Sequence, residues 1–314
     1  MKRFFQRVFA RGRGEKDKRV PVFGKSVLSN IVLGLTLLIL IAVCFVQLYP
    51  VFWMVTASFN TDFDLYKNMF GFPKALRLAN YGEVLYLLRA EITVPGKGFV
   101  QYGFGRLLLN SVILSLISPI KGLVACVPFA YVMARYRFKG RSLLLTLNYV
   151  FMILPITGAL PSQLKVFNAL GMYDNIVLLN ILGAGPFGMG MLIYMGFFKG
   201  VAGDYAEAAE IDGAGHFRIF MQIMLPAIIP TIAVFYIMGV LGSWNDYMTP
   251  LIWLPSFPNL ALGVFQFQYD AAKYAATLPQ IMAIFVIISI PSTIFYVTNQ
   301  RFMTSRIMIG GLKG

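Results

Sequence analysis

The sequence predicts an all-α, polytopic membrane protein, and two observations support this fold class. First, 58% of the 314 residues are hydrophobic and only 13% are charged, whereas soluble domains carry about 25% charged residues. Second, the charged residues are clustered, and several uncharged segments between them exceed the roughly 20 residues that a helix needs to cross a bilayer. These observations argue against a soluble enzyme, a disordered chain and a disulfide-rich secreted scaffold.

Six apolar segments are predicted to cross the membrane as helices. They cover residues 28–58, 107–134, 143–166, 176–198, 225–247 and 277–300. They form one transmembrane domain over residues 28–300, which lies between a basic N-terminal segment (1–27) and a C-terminal tail (301–314).

Three connections between these segments are long enough to have structure of their own. The loop at 59–106 is predicted to lie outside the membrane and to contain a short helix over 80–88, and the loop at 199–224 is predicted to lie inside. Residues 247–269 are uncharged but contain three prolines. They are expected to form either an apolar outer loop or a re-entrant segment buried in protein, because irregular backbone does not face lipid.

The basic residues indicate how the domain is oriented. The formal net charge is +14, but the basic residues flank apolar segments, which favours membrane topology over nucleic-acid binding. Eighteen of the 27 Lys and Arg residues fall on the side of the N-terminus, against seven on the other side. Since cytoplasmic loops carry an excess of Lys and Arg, both termini are predicted to be cytoplasmic.

The inner loop concentrates acidic residues. Four of the thirteen in the chain lie there: Asp204, Glu207, Glu210 and Asp212. The segment predicts a short helix centred on Ala208 and Ala209 that ends in a turn at Gly213. Alanines allow another surface to approach closely and carboxylates can pair with basic residues, as in a docking element. An ordinary interfacial helix between two spans fits the pattern equally well.

Ordered short motifs along the chain resemble those of one membrane protein family. They are EAA (207–209) followed by Gly213 and Leu225-Pro226, with LANY (78–81), LLNS (108–111), AYVMARYRFKGR (130–141), LGMYDN (170–175), IDGA (211–214), SWNDYMTPLI (243–252) and GGLKG (310–314). This pattern resembles the permease subunits of binding-protein-dependent ABC importers, and within them the carbohydrate permeases of the maltose-transporter type. The resemblance covers about residues 30–314.

The resemblance implies a type I importer permease in which the EAA loop forms a coupling helix that sits in a cleft of a cytoplasmic ATPase. The implied ATPase-contacting residues are Glu207, Ala208, Ala209, Glu210, Asp212 and Gly213. Glu207 would form an ion pair or a cap, and Gly213 would form the turn.

The implied partners are a second, related permease, two ATPase subunits, an extracytoplasmic binding protein, membrane lipid and a sugar, with an oligosaccharide expected. The implied location is the inner membrane of a bacterial-type cell. This chain is expected to be no enzyme and to hold no cofactor, because the ATPase subunits would use ATP and Mg. The only candidate phosphate-binding loop, Gly24-Lys25-Ser26, lacks its first glycine, since position 19 is arginine.

The sequence departs from the family pattern in two places. The stretch between LANY and LLNS is longer than in the family, with an insertion at 91–105, and this affects the outer-loop contacts and the substrate. The tail 302–314 varies before its terminal glycines, which affects how it meets the ATPase.

Lys121, Trp244, Asn245 and Asp246 are candidates for the translocation path. A lysine near the middle of a span costs about 2.5–3.5 kcal/mol on insertion, so Lys121 is expected to face the bundle interior. It would hydrogen-bond sugar hydroxyls or pair with a polar group at a helix break. The other three end the fifth span, where an aromatic ring beside amide and carboxylate groups suits a sugar, although aromatic belts are also common at membrane interfaces.

Two other functional classes are compatible with a polytopic membrane protein. A secondary transporter or channel would normally keep titratable carboxylates within its spans, and no Asp or Glu lies at the centre of a predicted span. A membrane enzyme would need converging His, Asp, Glu or Cys side chains. No metal site is expected, because His216 is the only histidine and Cys44 and Cys126 are far apart in apolar segments.

Overall fold

The protein is described by a computed structural model over residues 27–154, 158–269 and 276–307. Most of the basic segment 1–27 and the end of the tail, including GGLKG, lie outside these residues. The chain divides into two compact units, Met1–Trp53 and Met54–Gly314. The described part of the first unit is the helix α1 (Val27–Ser58) as far as Trp53, and its side chains are mostly exposed.

The second unit is predominantly helical. Its further helices are α2 (Asp62–Lys67), α3 (Ala79–Leu87), α4 (Phe104–Arg135), α5 (Arg141–Ile153), α6 (Leu160–Ala169), α7 (Ile176–Leu182), α8 (Met189–Gly200), α9 (Asp204–Ile211), α10 (His216–Ile219), α11 (Leu225–Trp244), α12 (Met248–Ile252), α13 (Leu260–Tyr269) and α14 (Leu278–Ile307). A π-helical turn (Phe220–Met224) joins α10 to α11, and two strands, β1 (Arg89–Val94) and β2 (Gly98–Gly103), precede α4.

Four helical stretches in the described ranges are long and apolar enough to cross a membrane. They are Val27–Ser58, Phe104–Arg135, His216–Trp244 and Leu278–Met303. They coincide with the first, second, fifth and sixth predicted spans, so the expectation of a mostly helical, multi-pass membrane protein is confirmed.

The third and fourth predicted spans are not continuous helices, which corrects the expectation for 143–166 and 176–198. The third is divided into α5 and α6, and the fourth into α7 and α8. Gly188, directly before α8, has a φ of +132°, a backbone conformation that glycine adopts at little cost. Interrupted helices occur at membrane depth where the irregular backbone is buried in protein or lines a cavity.

The inserted part of the outer loop adds a short β-hairpin to this mostly helical architecture. β1 and β2 pair antiparallel, with Glu91 opposite Gln101. The Gln266 side chain on α13 accepts from the Glu91 N–H and donates to the Glu91 carbonyl, both at 2.9 Å. It therefore continues the strand's hydrogen bonding, and Ile92 and Val94 are buried with Leu262 beneath it.

Residues 247–269 form two short helices, α12 and α13, rather than a simple loop. α13 is largely buried, through Leu260, Leu262 and Phe267. Aromatic rings also pack along it, since Tyr247 stacks on Phe265 with ring centroids 4.4 Å apart.

Buried amide and hydroxyl side chains bind the backbone where helices end. Asn80, from LANY, donates to the carbonyls of Ser58 and Asn60. Asn110 and Ser111, from LLNS, hold the irregular segment before α13: Asn110 donates to the Pro258 carbonyl, and Ser111 Oγ accepts from Leu260 N–H, both at 2.7 Å.

A buried amide side chain also binds the backbone at the interrupted fourth span. Asn148 is fully buried on α5, and its Oδ1 accepts from the N–H of Gly188 at 2.6 Å. One side chain therefore joins α5 to the start of α8.

The long helix α4 is the centre of packing in the second unit. In its C-terminal half, Val127 and Tyr131 are buried with Phe198 of α8 and Ile228 of α11. Farther along the same pair of helices, a Cβ added at Gly239 would lie only 2.8 Å from the Cβ of Pro119. The α4–α11 contact therefore depends on a residue without a side chain.

We expect Gly239→Ala to destabilise the protein by about 1–3 kcal/mol, because the added methyl group overpacks the contact with Pro119. The measurement is thermal unfolding of the purified protein in detergent.

Gly242→Ala is the matched control in the same helix. A Cβ there meets nothing within 4 Å, and alanine favours a helix by about 0.5–1 kcal/mol over glycine. Equal melting temperatures for the two variants would contradict this prediction. They would show that α4 and α11 separate at Gly239 at little cost in free energy.

Candidate functional site

Residues 199–224, which are predicted to couple to an ATPase and are named the coupling segment for that reason, contain a regular short helix, as the sequence predicts. α9 begins with Asp204 and Glu207 in its first turn, where carboxylates interact favourably with the helix dipole. At its other end, Ala214 N–H bonds to the Ala209 carbonyl and Gly213 N–H to the Glu210 carbonyl. These two bonds form a Schellman cap, and the φ of +79° at Gly213 makes glycine the residue that fits this turn.

The outer face of the coupling segment combines carboxylates with exposed apolar side chains. The residues predicted to contact an ATPase are exposed, apart from half-buried Ala209: Glu207, Ala208, Glu210, Asp212 and Gly213. Tyr205, Ile211 and Phe217 are 65%, 87% and 76% exposed beside them. Exposed apolar residues grouped in this way are typical of a contact surface for a partner.

The opposite face of the segment packs on the C-terminal ends of α4 and α8. Ala206 and Ala209 lie against the buried core there. Tyr131 brings its ring within 4.8 Å of Phe220 and 5.3 Å of Phe198, measured between centroids. The coupling segment thus packs on α4 and α8 through aromatic rings in contact with one another.

His216 lies at the edge of the coupling segment and is exposed, as expected. Its Nδ1 is 3.9 Å from Glu210 Oε1, and its ring meets Tyr136 edge-on at 5.4 Å. Within the described ranges, no group of three or more His, Cys, Asp and Glu side chains is arranged to hold a metal ion.

The first two path candidates lie on different elements. Lys121 is half-buried near the middle of α4, and Asp246, which follows α11, is the carboxylate that acts on its charge. Asp246 also caps α12, since its Oδ1 accepts from the N–H groups of Met248 and Thr249, both at 3.0 Å. Asp246 therefore has a structural role in addition to any contact with substrate.

The other two path candidates are placed differently. Trp244 is 7% exposed and donates from its indole nitrogen to the Ile288 carbonyl on α14 at 3.2 Å. Its ring lies in the core rather than in an interfacial belt. Asn245 is exposed, and its amide donates to the Leu241 carbonyl at the end of α11.

Two further polar residues were not singled out from the sequence. Asp174, in LGMYDN, has a φ of +54°, and its carboxylate accepts from the backbone N–H and hydroxyl of Ser256 at 2.8 and 2.6 Å. Arg135, in AYVMARYRFKGR, donates to the Val201 carbonyl where the coupling segment begins. Both lie in segments that carry the family resemblance, and that resemblance is the sequence signal that could have identified them.

Comparison with known proteins agrees with this geometry. Residues 126–308 match the family described as binding-protein-dependent transport system inner membrane component. The chain is 31% identical over 283 residues to the galactooligosaccharides transport system permease protein of Bacillus subtilis, covering 88% of this chain and 94% of that protein. It is 27% identical to the diacetylchitobiose uptake system permease protein of Streptomyces coelicolor, covering 84% of each.

A solved structure shares the fold. It is that of a bacterial ABC transporter involved in the import of the acidic polysaccharide alginate, with a TM-score of 0.69 and 20% identity over 90% of this chain and 99% of that chain. Because the family match covers more than half of the sequence, this chain belongs to the inner membrane components of binding-protein-dependent transport systems, and it is a transport permease with the type I importer fold rather than an enzyme.

Proposed function

We propose that this chain is one of two related permease subunits of an importer that takes up an oligosaccharide delivered by an extracytoplasmic binding protein. The relatives support the substrate class, since their names give galactooligosaccharides, diacetylchitobiose and, for a protein of Photorhabdus laumondii that is 28% identical, maltose and maltodextrin. Both termini lie in the cytoplasm of a bacterial-type cell, in accordance with the excess of Lys and Arg on that side.

The coupling segment is the part of this chain that receives energy. Two ATPase subunits bind ATP and Mg and hydrolyse ATP, and this chain supplies the surface from Glu207 to Gly213 that docks into one of them. The observation that carries this proposal is the exposed carboxylate and apolar face of 204–217 in a member of the importer family. Its inner face is packed on α4 and α8, so a displacement of the surface moves the membrane helices.

Transport follows as a change between two conformations. ATP binding closes the ATPase pair, the coupling segments shift, and the permease pair changes from inward-open to outward-open. The nucleotide supplies the difference in free energy between the two states. The four long apolar helices contain no Asp or Glu, which is consistent with energy arriving from the ATPase rather than from titrating groups within these spans.

Transport assays in vesicles test the energy source. We expect uptake of a labelled oligosaccharide to require ATP on the cytoplasmic side and binding protein on the other side when the chain is reconstituted with its copurifying subunits. The oligosaccharides to use are those named for the relatives. Uptake driven by a proton or sodium gradient alone would contradict the proposal and favour a secondary transporter.

We expect Glu207→Lys and Gly213→Asp to leave the protein inserted but to uncouple uptake from ATP hydrolysis. The first reverses a charge in the docking surface, and the second places a side chain on a backbone conformation that costs roughly 1–2 kcal/mol for other residues.

Gly215→Asp is the matched control for the second variant, because Gly215 is exposed with an ordinary φ of −69°. The measurement is the ratio of oligosaccharide imported to ATP hydrolysed. A normal ratio in both coupling-surface variants would remove this segment from the coupling mechanism.

We expect Lys121→Met to lower uptake or change its selectivity while the amount of folded protein stays near normal, because Lys121 would hydrogen-bond sugar hydroxyls in the path. Lys165→Met is the control, since Lys165 is the other lysine in a predicted span and is exposed on α6. If instead the amount of folded protein falls in step with uptake, Lys121 serves the structure through Asp246 and not the substrate.

A further inference from the structure

We infer that Arg135 is a positioning residue that couples movement of the coupling segment to α4, the helix that carries Lys121. The inference rests on the proposed function, because it takes residues 204–213 as the surface that meets the ATPase. Arg135 itself touches neither substrate nor nucleotide and acts through the segment that it holds.

Arg135 holds both ends of the coupling segment from one guanidinium group. It is the last residue of α4. Its Nη2 donates to the carbonyl of Val201, just before α9, and the same nitrogen lies 3.7 Å from the sulfur of Met224, the last residue of the π-helical turn. The entry and the exit of the segment are therefore bound to the same point on α4.

The other terminal nitrogen of Arg135 lies near the start of the coupling helix. A Cβ added at Gly203 would lie 3.7 Å from Nη1 of Arg135 and also 3.7 Å from Oε1 of Glu207. The guanidinium and the carboxylate thus both lie close to the same small residue. Because Gly203 has no side chain, it adds no steric barrier to a closer approach of Glu207 and Arg135.

One donor of Arg135 is unsatisfied in the described conformation. Its Nε is buried and has no hydrogen-bond partner among the described residues. A buried donor without a partner costs free energy, and the guanidinium presents its five N–H groups as a rigid planar fork. A shift of the coupling segment that supplies an acceptor for Nε would remove this cost, so the position of the segment and the orientation of Arg135 are energetically linked.

Arg135 is joined directly to the packed centre of the unit. α4 continues without a break from Phe104 to Arg135, with Lys121 fourteen residues before its inner end. The same helix packs on α8 and α11. A displacement of the guanidinium is therefore expected to move α4 and the helices packed on it. A displacement of an exposed loop residue is not expected to do so.

The test compares three variants in the complex reconstituted in vesicles with its ATPase subunits and binding protein. Arg135→Met removes all the donors, and we expect the ratio of oligosaccharide imported to ATP hydrolysed to fall about tenfold or more, as the loss of hydrogen bonds from a charged group implies. Arg135→Lys retains the charge but lacks the planar guanidinium with its five N–H groups, so an intermediate ratio is expected. Arg137→Met is the matched control, because Arg137 lies two residues along and is exposed.

Copurification with the ATPase subunits separates positioning from folding. If Arg135→Met reduces the amount of assembled complex but the assembled fraction imports with the wild-type ratio, Arg135 is only structural and the inference is wrong. It is also wrong if Glu207→Lys uncouples transport while both Arg135 variants match Arg137→Met. Absence of ATP-dependent uptake by the unaltered complex would instead remove the proposed function, and the inference with it.

Discussion

Buried amide and hydroxyl side chains hydrogen-bond the backbone at several places where the described chain leaves a helix. In an apolar solvent no water can do so, and an unsatisfied backbone group costs several kcal/mol. Asn148 binds Gly188 at the interrupted fourth span, and Asn110 and Ser111 hold the chain before α13. These polar side chains stabilise the irregular backbone before α8 and in the segment 253–260.

This constraint explains which features could be predicted from the sequence. The Schellman turn at Gly213 and the helix before it were predictable because both depend on local residues. The break at 183–188 was not, because hydropathy measures transfer into lipid over a whole segment and is insensitive to a few residues whose backbone is bound by a distant amide. The hairpin at 89–103 lies in the insertion that departs from the family pattern, so neither periodicity nor resemblance indicated strands there. Trp244 was open to two interpretations because its burial against α14 depends on tertiary packing.

Two sets of polar residues in the described chain have different physical roles. Asn110, Ser111 and Asn148 are neutral, buried side chains on α4 and α5 that join one backbone segment to another. The carboxylates of the coupling segment are exposed, and this segment packs against Tyr131 through Phe220. Charges placed in this way do not have to cross lipid and are accessible to a partner.

The buried amides also limit how this family should be engineered or compared. Replacing Asn110 or Asn148 by leucine would make each helix more hydrophobic and a better substrate for membrane insertion. It would also leave the Pro258 carbonyl or the Gly188 N–H without its partner. Insertion and tertiary folding therefore place opposite demands on the same positions, and a sequence optimised for hydropathy alone would enter the membrane readily and then fail to assemble its interior.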